Sequence, residues 1–274
     1  MLEQSQPTVS RLTDDTFALA WTSNGQDGNS HAIVASVFNA TTMKNITSEF
    51  IVNTYYTDSQ QQPILTSLTS DKFVVAWASN GQDGSSFAVV ARVFNATTGN
   101  NLTSEFIMNN YTTLDQSEPA LCRLTNDTFV ASWSSNGQDG SNHAIIASIF
   151  NATTGKNITA EFIVNNYTTN SQSQSSLTSL TEEIFVVVWS SVGQDGSSNA
   201  IVGTVINATT GKNVTSEFVI NTYTTSDQSL PSISRLTDET FVATWTINGQ
   251  DGSSYAIVAS VVNATSGTNL KLNL

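Results

Sequence analysis

Phe73-Val74-Val75-Ala76-Trp77-Ala78-Ser79-Asn80-Gly81-Gln82-Asp83-Gly84 is the stretch that decides the fold. Phe73, Val75 and Trp77 fall on one face of an extended strand, and Val74 and Ala76 on the other, so both faces are apolar. Asn-Gly and Asp-Gly follow at once, the dipeptides that most strongly mark a tight hairpin. A second two-sided apolar run, Ala88–Phe94, comes next. Upstream lies Pro63–Leu68, with Ile64, Leu65 and Leu68 among small or polar residues. Downstream, beyond the polar loop Asn95–Asn101, lies Ser104–Asn109. These read as four short strands joined by turns, with no helical period.

The pattern recurs. Trp21, Trp77, Trp133, Trp189 and Trp245 stand 56 residues apart, and Gly-Gln-Asp-Gly returns in register at Gly25, Gly81, Gly137, Gly193 and Gly249. Leu12, Leu68, Leu124, Leu180 and Leu236 repeat as well, with no insertion or deletion. A lone four-stranded unit cannot cover two double-sided strands, whereas stacked copies can. The expected fold is therefore all-β, a five-bladed β-propeller of five 56-residue, four-stranded repeats, with an open stack of β repeats as the alternative. The whole chain, 1–274, is expected to form a single propeller domain with units at about 1–56, 57–112, 113–168, 169–224 and 225–274. Five units need 280 residues, so the chain lacks only the counterparts of Ile51–Tyr56, and its ends are expected to fall together. Its start in mid-pattern, without a signal peptide at Met1–Val9, fits a mature piece or a segment of something longer.

Composition narrows the setting. Lys and Arg number 9 and Asp and Glu 22, making 11% charged against about 25% in an ordinary soluble domain. Ser, Thr and Asn (37, 38 and 27) take their place. A net charge of −13 argues against nucleic acid or an anionic membrane as partner, and no apolar run is long enough to span a bilayer. Cys122 is the one cysteine, which excludes an internal disulfide framework and a Cys-based zinc cluster.

The combination W-[TAS]-S-N-G-Q-D-G-x-x-x-A-I-V-A-x-V-F, then E-F-I-V-N and a returning Q-x-x-P, resembles the G-Q-D-G tandem repeats of large secreted and surface proteins of the adhesin-like and calcium-binding toxin-repeat kinds. The resemblance covers all five units. It implies a β-propeller-like extracellular module to which no agreed activity belongs. The Gly-rich calcium nonapeptides that often accompany such modules are missing here.

Candidate sites follow from the repeat. Asn-x-Ser/Thr sequons stand at Asn39, Asn45, Asn95, Asn101, Asn110, Asn126, Asn151, Asn157, Asn166, Asn207, Asn213 and Asn263. The Asn39 and Asn45 types recur in the loop between the third and fourth strands, an exposed place suited to N-linked sugar. In an up-and-down blade that loop lies at the opposite end from the Gly-Gln-Asp-Gly hairpin, so sugars should gather at one end. Asp27, Asp83, Asp139, Asp195 and Asp251 are weak candidates for calcium, since one carboxylate per loop is few for that cation, and Asp-Gly turn chemistry competes. No other metal or cofactor is expected. Glu49, Glu105, Glu161 and Glu217 read as solvated, the tryptophans as core, and Tyr55, Tyr111, Tyr167 and Tyr223 as lids or contacts.

Catalysis needs differentiated groups, and here the polar residues come in equivalent sets. His31 and His143 lack a nucleophile motif, and the Pro63–Leu68 type of inner strand carries no carboxylate. The expectation is accordingly no enzyme. In its place stands a non-catalytic, glycosylated, extracellular or cell-surface structural or adhesive module, one form being the repeating subunit of a surface fibril. The alternative is a multivalent carbohydrate-binding lectin with equivalent inter-blade sites. The partners expected are copies of itself, head to tail, or other surface proteins, together with covalent N-glycans.

Overall fold

The computed structural model describes residues 3–249, 252 and 254–270. All regular structure among them is strand. Each 56-residue repeat forms its own antiparallel sheet, as the two-sided apolar strands require. In repeat 1 the strands are β1 (Gln4–Arg11), β2 (Thr16–Asn24), β3 (His31–Asn39) and β4 (Phe50–Ile51), in that spatial order. Repeat 2 follows with β5 (Gln60–Ser67), β6 (Lys72–Asn80), β7 (Phe87–Asn95) and β8 (Phe106–Ile107), and repeat 3 with β9 (Gln116–Arg123), β10 (Thr128–Asn136), β11 (His143–Asn151) and β12 (Phe162–Ile163). Repeat 4 has β13 (Gln172–Ser179), β14 (Ile184–Val192), β15 (Asn199–Asn207) and two short pairings on β15, β16 (Lys212–Asn213) and β17 (Phe218–Val219). Repeat 5 has β18 (Gln228–Arg235), β19 (Thr240–Asn248), β20 (Tyr255–Asn263) and β21 (Thr268–Leu270). The all-β fold of five sheets, one per repeat, is the expected one. By contact density the chain divides into two compact units, Met1–Ala131 with Ile149–Ile158, and Ser132–Ser148 with Thr159–Leu274.

Two features depart from the strand lengths read in the sequence. The first strand begins earlier, at Gln60 rather than Pro63, because a bulge carries pairing past the proline: the register shifts between Gln61 and Ile64, and likewise in repeats 1, 4 and 5. The bulged residue is left-handed in all five repeats, at Gln6, Gln62, Glu118, Gln174 and Leu230, with φ between 52° and 58°. The fourth strand shrinks from the expected Ser104–Asn109 to Phe106–Ile107. Side chains on either side of it do the rest of the pairing. Thr103 Oγ1 accepts the Val93 N–H at 3.0 Å, and Asn109 Oδ1 accepts the Val89 N–H at 2.9 Å. The outer edge of β7 is thereby satisfied without a long, exposed edge strand.

Packing between neighbouring repeats uses two unlike faces. In the first unit, Ala18, Ala20, Ile33, Ala35, Val37 and Val52 of repeat 1 bury against Leu65, Phe73, Val75, Trp77, Val90 and Phe94 of repeat 2. In the second, Val186, Val188, Ile201, Val205 and Ile220 of repeat 4 meet Phe241, Ala243, Trp245, Ile247 and Val262 of repeat 5 in the same way. Trp77, Trp133 and Trp189 are fully buried, each side chain of this size contributing upward of about 2 kcal/mol. A fourth-strand aromatic locks the rim: Phe50 packs 5.2 Å from Phe94 with the rings tilted by 40°, and lies over Gly99 in the next repeat's turn. Phe106 lies over Gly155 so closely that a Cβ there would stand 2.7 Å from the ring.

Candidate functional site

The bulge at the start of each inner strand is where the repeats stop being equivalent. Gln6 Oε1 accepts the Gln62 N–H at 2.8 Å, Gln62 Oε1 accepts the Glu118 N–H at 3.0 Å, and Gln174 Oε1 accepts the Leu230 N–H at 3.1 Å. The left-handed backbone turns each side chain toward the neighbouring inner strand, so adjacent repeats are stitched residue to equivalent residue. Glu118 replaces the amide in repeat 3. Among the described residues it is the one Asp or Glu carried on a strand, all others lying in turns and connections. It is half-buried, beside the buried Gln116 and Pro119. The expectation of no carboxylate on the inner strands is therefore corrected: it failed because the bulge extends β9 upstream of Pro119.

The Gly-Gln-Asp-Gly aspartates have a structural task. Asp83 Oδ1 accepts the Ser85 N–H at 3.1 Å, closing the turn, while Asp83 Oδ2 accepts a 2.9 Å bond from Asn109 Nδ2. Asp27, Asp139 and Asp195 bind Asn53, Asn165 and Asn221 in the same way. Each of these asparagines also donates to a backbone carbonyl and to a buried glutamine, as Asn109 does to Tyr111 O and Gln116 Oε1. Asp251 lies outside the described residues. No group of three or more His, Cys, Asp or Glu able to hold a metal ion occurs among the described residues. Two of the glutamates read as solvated are instead latches, while Glu49 is exposed: Glu105 accepts from Gln82 in its own repeat and from Thr54 N–H in the repeat before. Glu217 does the same with Gln194 and Asn166.

The sequon asparagines fall into two kinds. Asn39, Asn95, Asn151, Asn207 and Asn263 end the third strands and are half-buried. Each Oδ1 caps the following turn, as Asn95 Oδ1 does for the Thr97 and Thr98 N–H groups at 3.0 and 2.9 Å. The Nδ2 atom, where sugar would attach, takes no part in those bonds. Asn45, Asn101, Asn157 and Asn213 are exposed. In repeats 1, 2 and 4 the threonine two residues on (Thr47, Thr103, Thr215) has its hydroxyl bound to a strand N–H. Asn110, Asn126 and Asn166 are exposed as well. Within repeat 1 the register Asn24↔His31 and Thr16↔Asn39 puts the Gly-Gln-Asp-Gly turn at one end of the strands and the Asn39 turn at the other.

The remaining candidates are structural or isolated. The tryptophan Nε1 atoms are buried without a hydrogen-bond partner in all five repeats. Tyr55 and Tyr167 place their hydroxyls over the glycine of the next repeat's turn, Gly81 and Gly193. His31 Nδ1 lies 3.0 Å from Ser30 Oγ and 3.2 Å from Ser59 Oγ, in the place where Ser86 and Asp115 join repeats 2 and 3. The Cys122 thiol is buried, which pushes its pKa from 9.0 up to about 12, with a bond to the Val130 backbone acting the other way. The asparagine clamp, the bulge and the Phe–Gly contact were missed in the sequence reading. The repeated Asn after I-V, and the lone Met43 where four repeats have glycine, were signals that could have found two of them.

No family model and no curated protein matches the chain. Among solved structures it is similar to a thermostable family-43 glycoside hydrolase, at 10% identity and a TM-score of 0.55 over 98% of this chain and 92% of that one. It is also similar to the GH93 α-L-arabinofuranosidase of Fusarium graminearum, with 14% identity, a TM-score of 0.60, and 93% and 80% covered. The β-propeller domain of the Trilobed protease from Pyrococcus furiosus matches at 9% identity and a TM-score of 0.52, over 98% and 70%. At these identities the likeness carries the fold, which is that of a β-propeller.

It also corrects the expectation of a non-catalytic module, with its lectin alternative, and of no enzyme. The same architecture, over nearly the whole chain, belongs to glycoside hydrolases. Nor are the polar residues wholly equivalent, because Glu118 stands where other repeats have glutamine or leucine. Among the described residues no helix is long and apolar enough to cross a membrane.

Proposed function

We propose that the chain is an extracellular, N-glycosylated β-propeller that acts on carbohydrate, with Glu118 as its proton-transferring group. The observation that carries this reading is the fold shared, end to end, with carbohydrate hydrolases. Support comes from the chain's own differentiation, since among the described residues β9, beside the bulge of β5, is the one strand with a carboxylate. Glycoside hydrolysis uses two carboxyl groups, one to protonate the leaving oxygen and one to act on the opposite face of the sugar. In this reading Glu118 is the first, and the second comes from a connecting loop, where the other acids lie.

Reducing-end release from arabino- and xylo-oligosaccharides by the secreted chain tests this. Glu118→Gln keeps size and hydrogen-bonding capacity and matches the residue of three other repeats, so it should fold normally. A loss of about 100-fold or more in rate is expected. No hydrolysis of any glycan between pH 4 and 8, or full activity in Glu118→Gln, refutes the proposal. Enzymatic deglycosylation should shift the mass of the secreted chain, with sugars at exposed Asn45-type sites. An unshifted mass refutes that part.

A further inference from the structure

Four Asn-Gly pairs, Asn24-Gly25, Asn80-Gly81, Asn136-Gly137 and Asn248-Gly249, carry the sequence most prone to asparagine cyclisation, in which the side-chain amide is attacked by the next main-chain nitrogen and ammonia is lost. Glycine, with no Cβ, leaves that nitrogen unhindered. The hairpins disarm all four. Each asparagine is the last residue of its strand, so its backbone is held extended. The glycine nitrogens are also taken: Gly25 N–H donates to Ser30 O at 2.6 Å, Gly81 to Ser86 O at 2.6 Å, Gly137 to Asn142 O at 2.5 Å and Gly249 to Ser254 O at 3.2 Å. Attack by any of these nitrogens first has to break the turn it closes.

One asparagine is set the other way. Asn29 stands where the other hairpins have Ser85, Ser141, Ser197 and Ser253, and it is exposed. Its own Oδ1 accepts the Ser30 N–H at 2.8 Å. Oδ1 is bonded to Cγ, the carbon that cyclisation attacks, so the reacting nitrogen is already held against its target. The other Asn-Ser pair, Asn170-Ser171, is turned elsewhere: Asn170 is left-handed, with φ 64°, and its Nδ2 lies over Gly193. We infer that Asn29 is the site of spontaneous succinimide formation in the folded chain, with water as the reagent. Ser30 N gives up its proton and bonds to Asn29 Cγ, the Cγ–Nδ2 bond breaks, and the amide leaves with that proton as ammonia. Water then opens the ring at either carbonyl, giving aspartate or isoaspartate at position 29 and one more negative charge.

The product lands on a joint. Asn29 N–H donates to Asp27 Oδ1 at 3.1 Å, and Asp27 Oδ2 accepts from Asn53 Nδ2 at 3.0 Å. A second carboxylate two residues away repels the one that holds the asparagine clamp of repeat 1. Isoaspartate also lengthens the main chain by a methylene just before Ser30. Ser30 Oγ lies 3.0 Å from Ser59 Oγ, linking this hairpin to the start of repeat 2, and Ser30 O is the acceptor for Gly25. All of these residues belong to the first compact unit. The modification loosens the joint between repeats 1 and 2, and it accumulates with the age of the chain.

Peptide mapping by mass spectrometry tests this on the full chain, held either folded or in urea in mildly alkaline buffer, with fragmentation to place each change. In the folded chain the Asn29 amide should convert to aspartyl and isoaspartyl forms about tenfold or more faster than Asn24, Asn80, Asn136 or Asn170. In urea, where the hairpins no longer hold the glycine nitrogens, the Asn-Gly pairs should overtake it. Hydrogen exchange at the Gly25 amide should quicken in the converted fraction. Asn29→Ser reproduces the residue of the four other repeats, so it should fold and should abolish the conversion. Asn29 lies outside the sequons, so enzymatic removal of sugar does not mimic the change there. An Asn29 that stays intact in the folded chain over the time in which the urea sample converts overturns the inference. So does a folded chain in which an Asn-Gly pair or Asn170 converts first.

Discussion

Replacing Asn109 by alanine tests whether the Gly-Gln-Asp-Gly aspartates serve the fold through a buried amide. Asn109 is 4% exposed; its Oδ1 accepts from Val89 N–H, and its Nδ2 shares two hydrogens among Asp83 Oδ2, Tyr111 O and, at 3.4 Å, Gln116 Oε1. Val89 is fully buried, and its amide has no strand beside it, so Asn109→Ala leaves that donor unsatisfied at about 1–3 kcal/mol. The buried Gln116 Oε1 loses a donor as well, for about 1 kcal/mol more, and the missing amide leaves a small void. The expected loss is about 3–5 kcal/mol, a large part of the 5–15 kcal/mol typical of a domain. Asp83→Ala should cost only about 1 kcal/mol, because Asn109 Nδ2 keeps two acceptors and the exposed Ser85 N–H can turn to water. Urea denaturation gives both values, and hydrogen exchange reads the Val89 amide directly. The reasoning is refuted if Asn109→Ala costs under about 1 kcal/mol, or if Val89 keeps wild-type protection.

Gly155→Ala sets a Cβ 2.7 Å from the Phe106 ring at a φ of 67°, and should lower stability by about 1–3 kcal/mol. Met43→Gly, at the equivalent position without a preceding aromatic, should leave the melting temperature of the monomer nearly unchanged. Trp133→Phe removes an indole N–H that has no partner, so calorimetry should find it cheaper, by about 1 kcal/mol or more, than its lost area implies, and far milder than Trp133→Ala. Cys122 should resist thiol reagents until the chain unfolds. Its folded pKa is raised, so between pH 9.0 and about 12 the unfolded thiol ionises first and stability falls as pH rises, by about 1.4 kcal/mol per unit. Cys122→Ser should flatten that alkaline slope in a denaturation series.

The legible parts of the fold were those written in local pattern. Phe73, Val75 and Trp77 alternating with Val74 and Ala76 marked a strand covered on both sides, and it is. Asn-Gly and Asp-Gly marked the hairpin, and Gly81 and Gly84 do hold positive φ there. The fourth strand was overestimated because Thr103 and Asn109 pair with β7 through side chains, which β-propensity does not register. Glu105 was read as solvated from its own neighbours, whereas its partner Thr54 lies 51 residues away in the preceding repeat. Glu118 was overlooked for a related reason: whether it sits on a strand depends on a bulge with a left-handed non-glycine residue, whose N–H meets Gln62 of the preceding repeat.

By itself the sequence determined the repeat, its period, its four-stranded content and its two-sided burial, because strand alternation and turn chemistry act over a few residues. Only the tertiary structure decided which face of each sheet donates and which receives, since that depends on how Ile33 meets Trp77 across repeats. It also decided that five nearly identical units are not equivalent. Neighbours bury the Ile201 side chain and leave Ile257 open, and a glutamate among glutamines becomes a distinct group when their strands are set side by side.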